Sequence, residues 1–202
     1  MLIQSIIDAL VQVIIFAIIP FLYWLIAFRK RESFTHWIGL KKAVFHNKTK
    51  AFIFSILSFA ILLASGTILL SVIDDKTMIA NAQFASMGPQ SILLIFIYAI
   101  VQTGLSEELL FRGFLLKVFS GWWGFGAGNA IQALLFGLLH GVILFSSLNT
   151  FLVILIIIFS ALAGWMMGYV NEKLGNGSIL PSWLIHSLMN ISSSLLLAFS
   201  IL

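Results

Sequence analysis

The chain contains no cysteine. Structural disulfides, thiolate metal ligands and a cysteine nucleophile are thereby excluded, and any hydrolytic chemistry must use carboxylate, imidazole, hydroxyl or amide groups. Charge is equally scarce. Only 9% of residues are Asp, Glu, Lys or Arg, against 61% hydrophobic residues and a mean hydropathy of +1.11. Ordinary soluble domains carry roughly 25% charged residues, so 202 residues of this composition have too little polar surface to fold as a soluble globule. There is no internal repeat, low-complexity tract or linker, and residues 1–202 read as a single membrane domain. Within it, 1–90 hold two spans and a basic loop, and 91–202 hold the residues with chemical potential.

What is present is apolar sequence in runs of membrane-crossing length. About 20 apolar residues cross the hydrocarbon, and on that measure spans fall at 4–28, 51–73, 91–117, 130–147, 150–170 and 179–201. The predicted fold is all-α and polytopic: a bundle of about six transmembrane helices around a polar intramembrane site. Met1 to Phe28 lacks the basic leader and small-residue cleavage site of a signal peptide, and is expected to remain as the first span. Basic residues are one-sided. Arg29, Lys30, Arg31, Lys41, Lys42, Lys48, Lys50, Arg112, Lys117 and Lys173 fall on one side and Lys76 on the other. The positive-inside rule then places the odd-numbered loops in the cytoplasm and both termini outside. A pI of 9.6 thus reports topology, and nucleic acid is not an expected partner. In the first loop, Phe34, Trp37, Ile38, Leu40, Val44 and Phe45 surround Lys41 and Lys42, which predicts a short interfacial helix against anionic headgroups.

Against this background the residues that stand out are Glu107, Glu108 and Arg112, inside a span. Each charge at a helix centre costs roughly 2.5 to 3.5 kcal/mol on insertion scales, whereas an exposed Glu/Arg pair returns only about 0.2 to 0.5 kcal/mol. Glu108 and Arg112 are four apart and share a face, so they can neutralise each other and hold helices in register. That pairing leaves Glu107, about 100° around the helix, unexplained. The same four-residue spacing relates Phe136 to His140 in the fourth span and His186 to Asn190 in the sixth. Either histidine alone reads as a hydrogen-bonded interior residue; together they point toward a common polar partner. Asn129, Gln132, Asn149 and Ser182 lie nearer helix ends and read as interface or packing residues.

Glu107-Glu108-Leu-Leu-Phe-Arg112, Phe136-Gly-Leu-Leu-His140 and His186-Ser-Leu-Met-Asn190 match E-E-x-x-x-R, F-x-x-x-H and H-x-x-x-N. In that order, on three hydrophobic helices, they resemble the motifs of the CPBP family, the CAAX-type prenyl endopeptidases and bacteriocin-processing or immunity (Abi) proteins. The resemblance runs from about Ser91 to Leu202, includes residues 177–183 leading into the last motif helix, and is nearest to the compact bacterial immunity-type branch. It implies an intramembrane peptidase of a bacterial cell membrane acting on a peptide or protein substrate among membrane lipids. Glu107 is then the general base for a water shared with His140, and His186 and Asn190 donate to the developing oxyanion. Glu108, Arg112 and Phe136 support the site.

No cofactor is expected. The alternative is a divalent metal such as zinc held by Glu107, His140 and His186, although no H-E-x-x-H pair is present and, with Glu108 expected to be engaged by Arg112, no spare carboxylate is expected to orient either histidine. Two other functions stay open: a non-catalytic bacteriocin-immunity protein, and a transporter or proton relay, for which repeat symmetry and broken helices are lacking. Depth poses a difficulty. With a fourth helix beginning at Gly124, His140 would lie about 24 Å along it, too far from Glu107; a start near Ala130, after an interfacial turn containing Trp122 and Trp123, brings them closer. The basic loops predict a shallow site reached from the cytoplasmic side.

Overall fold

The computed structural model describes residues 1–72 and 79–201. Lys76, the single basic residue expected on the far side, and position 73 of the second predicted span lie outside the described residues. The described chain is helical: α1 (Leu2–Ala27), the short α2 (Phe34–Ile38), α3 (Lys48–Val72), α4 (92–123), α5 (125–144), α6 (150–174) and α7 (Leu180–Ala198). Two 3₁₀ turns, Ala80–Phe84 and Gly88–Ser91, lead into α4. Among the described residues, four runs are long and apolar enough to cross a membrane: Leu2–Ala27, Lys48–Val72, Gly88–Leu144 and Thr150–Leu174. The third contains two passes, because Gly124 at φ 79°, ψ 162° reverses the chain between α4 and α5. A side chain is strained at that positive φ. Four residues beyond the turn, Gly128 backs onto Ser120, where a Cβ would lie 2.6 Å from the Ser120 hydroxyl.

This hairpin removes the depth difficulty in a different way from the one the sequence suggests. The third helix does not stop at 117 but runs to the Gly124 turn, and α5 starts directly after it. His140 is about 24 Å from the turn and Glu107 about 26 Å at 1.5 Å per residue, so the two lie level on antiparallel helices. The expected delay of α5 to residue 130 is corrected accordingly.

α4 is locally widened. Ile97–Leu105 and Leu109–Leu115 are π-helical, flanking the α-turn Ser106–Glu108. Such i→i+5 segments are rare and concentrate at functional sites. Here the Thr103 hydroxyl donates to the Tyr98 carbonyl five residues back, and the Trp183 indole of α7 donates to the Ile100 carbonyl at 2.7 Å. The widened helix thereby offers backbone and side-chain partners to α7.

α5 and α6 are joined by amides. Asn129 donates to the Trp165 carbonyl, and Gln132 donates to Asn129 and to the Gly164 carbonyl; Asn149 caps α6 by accepting from the Leu152 amide. These three fill the packing roles expected of them. The first loop differs from expectation. Its helix exists, capped by Ser33, but Trp37 and Ile38 are buried in a cluster with Leu109, Phe114, Val118 and Ile179 instead of facing lipid headgroups. Lys117 donates to the Trp37 carbonyl at 2.5 Å, and the Gly39 carbonyl accepts from the Ile179 amide. The loop is a cover over the basic end of the bundle.

Candidate active site

The paired glutamates divide at once by environment. Glu108 is fully buried, and its carboxylate is satisfied from three directions: Arg112 Nη1 donates to Oε1 at 2.9 Å, His186 Nδ1 lies 3.1 Å from the same oxygen, and Ser182 Oγ donates to Oε2 at 2.5 Å. Ser182 is itself bracketed by Asn171, whose side-chain amide donates to the hydroxyl at 2.6 Å and whose carbonyl oxygen accepts from the Ser182 backbone amide. Fully buried behind three such partners, this carboxylate is closed to a substrate. Glu107 is the opposite case. Its side chain is 16% exposed, and its Oε2, though itself buried, has no hydrogen-bond partner, with His186 Nε2 3.7 Å away.

Phe136 is the scaffold between the motifs. The Arg112 guanidinium sits 4.1 Å from its ring centroid, a cation–π contact in a dry interior. Its ring lies 4.5 Å from that of His140 and 5.8 Å, edge-on, from that of His186, while Phe111 packs edge-on at 5.1 Å. One aromatic side chain thus fixes the orientation of the residues that matter on α4, α5 and α7.

Tautomers follow from acceptor chemistry. His140 Nδ1 lies 2.8 Å from the Phe136 carbonyl, which can only accept, so this nitrogen carries a proton and Nε2 is left as an acceptor when the ring is neutral. His186 Nδ1 faces the Glu108 carboxylate by the same logic, and its Nε2 donates only when the ring is an imidazolium. Asn190 donates to Thr103 Oγ1 at 2.8 Å.

Glu107, His140, His186 and Asn190 all line one cavity of about 430 Å³, with Tyr98, Gln102 and Thr103 from α4 and Gln12 from α1. This volume lies within the roughly 300 to 1,000 Å³ of small-molecule sites. Among the described residues, Glu107, His140 and His186 do not come together as a group able to hold a metal ion.

The cavity does not open as the sequence leads one to expect. It extends from Glu107 and His186 toward Leu69, Leu70, Ala80, Asn81, Gln83 and Leu144, the end of the bundle away from the basic loop. The prediction of a shallow site open at the basic end is therefore corrected: the cover formed by Trp37, Ile38 and Ile179 closes that end.

Three contributors escaped the sequence reading. From sequence Ser182 reads as an interface or packing residue, yet it donates to Glu108, and its spacing holds the signal, since 182, 186 and 190 recur every four residues on one face of α7. Thr103 stands in the same relation to Glu107. Gln12 could not be found by spacing, because only the docking of α1 brings it to Ser106 and Gln102.

A helical membrane bundle that holds a free carboxylate, two oriented imidazoles and an amide around a closed-end cavity has the constitution of an intramembrane peptide hydrolase. Residues 89–192 match the family described as Type II CAAX prenyl endopeptidase Rce1-like, and the chain belongs to that protease family. Neither a curated protein nor a solved structure matches it.

Proposed function

We propose that the protein is a glutamate-dependent intramembrane endopeptidase in which Glu107 is the general base. The observation that carries this reading is that Glu107 lines a cavity with His140, His186 and Asn190 while its buried Oε2 has no hydrogen-bond partner. A water held between Glu107 and the acceptor Nε2 of His140 gives its proton to Glu107 as its oxygen adds to the peptide carbonyl. The oxyanion is met by the Asn190 side-chain amide, redirected from Thr103, and by His186 Nε2–H of an imidazolium held between two carboxylates. Collapse breaks the C–N bond, and Glu107 returns its proton to the leaving nitrogen, releasing a carboxylic acid and an amine. Glu108, Arg112, Ser182 and Phe136 take no part in these transfers; they hold His186 and the α4 backbone still.

The reaction as written uses no metal, and activity is expected to persist through chelation. Loss on chelation with recovery on adding zinc would reassign the three side chains as ligands. The direct test is cleavage of a peptide library by the purified protein. Wild type cuts a subset of sequences and Glu107→Ala cuts none; equal cleavage by both removes Glu107 from the mechanism. The role in bacteriocin processing or self-immunity implied by the motif resemblance is read in cells. Tolerance lost in Glu107→Gln ties that role to catalysis, and tolerance retained there assigns it to binding.

A further inference from the structure

We infer that the substrate of this site is a peptide segment presented from the extracytoplasmic face of the membrane, an inference that rests on the peptidase reading above. Two independent features meet here. The first is the direction of the cavity. Its far wall is made by the 79–87 segment, which is built onto the end of α7: Asn81 donates to Ser193 Oγ at 3.2 Å, the Ser86 amide donates to the Leu197 carbonyl at 3.1 Å, and Phe84 is buried against Tyr98. Ala80 and Gln83 line the cavity and are exposed, so the cavity reaches the surface at this rim.

The second feature is charge. Arg112 is buried in its pair with Glu108 and is not a topological charge, which leaves nine Lys and Arg in the chain, other than Lys76, at the opposite end of the bundle. An excess of that size over short loops fixes orientation with the basic end in the cytoplasm. The basic end is also sealed. Lys117 is tied to the Trp37 and Gly177 carbonyls, Gly39 to Ile179, and the Ser178 hydroxyl to the Lys41 carbonyl. A chain delivered from the cytoplasm meets this cover; one delivered from the far side meets the mouth.

The mouth suits an extended peptide. Gln12 and Gln102, paired at 3.3 Å, and Asn81 each carry a donor and an acceptor, the two functions that a peptide backbone needs. Between them Phe16, Leu69 and Leu139 offer apolar wall for side chains. The scissile bond would then lie below the amides, at the level of Glu107.

The absence of cysteine makes the side of access directly measurable. Ala80→Cys places a thiol at the mouth and His46→Cys one in the basic loop, and neither residue belongs to the catalytic set. In intact cells a membrane-impermeant maleimide is expected to label Ala80→Cys and to leave His46→Cys unlabelled until the membrane is permeabilised. With purified protein, a bulky maleimide on Ala80→Cys is expected to suppress cleavage at least tenfold, and the same label on His46→Cys to leave the rate within twofold. Labelling of His46→Cys but not Ala80→Cys in intact cells overturns the proposal, as does an Ala80→Cys that resists label even in detergent. The labelling pattern is read without reference to catalysis. The expected pattern in a protein that cleaves nothing therefore refutes the peptidase reading while leaving the orientation intact.

Discussion

The outer helix α1 and the inner helix α7 invert the usual relation between hydrophobicity and burial. α1 is among the most apolar segments, yet only 11% of its most apolar window is buried, against 44% for the run containing α4 and α5. α7 is not among the four apolar runs, and it buries Ser182, His186, Ser187, Ser193 and Ser194. In water such a difference would place α1 inside and α7 outside. Lipid tails are as apolar as leucine, so apolar side chains gain nothing by meeting each other, and association goes to helices with small and hydrogen-bonding residues. Polarity therefore marks the interior here, and the interior is where the site is.

The comparison breaks most visibly at the inner helices. Glu107→Gln, His140→Ala and Asn190→Ala are each expected to lower cleavage by about 10²-fold or more, the scale of a lost acid–base group or oxyanion donor, while membrane insertion is kept. Insertion lost in all three would turn these residues into packing elements. Next comes Glu108→Gln, which leaves Arg112 without its charge partner in a dry site; breaking a buried pair costs about 3 to 5 kcal/mol, read as a lower melting midpoint in detergent. Ser182→Ala removes one donor to Glu108 and is expected to cost about 1 to 3 kcal/mol, with a lower kcat at unchanged KM as His186 loosens; a change in KM alone would place Ser182 in substrate binding. At the small end, Ile14→Ala on the lipid face of α1 is expected to shift stability by less than about 0.5 kcal/mol. A shift comparable to that of Ser182→Ala would mean that α1 is buried in an assembly and that the contrast drawn above is false.

The existence of the six long helices and the grouping of the motif residues were legible because both depend on local pattern: run length for the spans, four-residue spacing for the motifs. The end of α4 was not legible. Its polar residues near Lys117 look like a loop from sequence, and only the reversal at Gly124 shows that the helix continues past them. The burial of Trp37 and Ile38 in the first loop is illegible for a related reason. Trp37 and Ile38 have the composition of a lipid-facing ridge, and nothing local tells that Phe114 and Ile179 will cover them. The direction of the cavity was likewise a tertiary fact. Counting residues from the inner end of the last helix gives the depth of His186 but not which end of the bundle is sealed.

The central claim is that the adjacent glutamates have separate duties, Glu107 in chemistry and Glu108 in architecture. The most direct measurement takes Glu107→Gln and Glu108→Gln through one experiment that records peptide cleavage and melting midpoint on the same purified samples. Glu107→Gln is expected to melt close to wild type and not to cleave, whereas Glu108→Gln is expected to melt markedly lower. A Glu107→Gln protein that cleaves at the wild-type rate, or that loses more stability than Glu108→Gln, would contradict that claim.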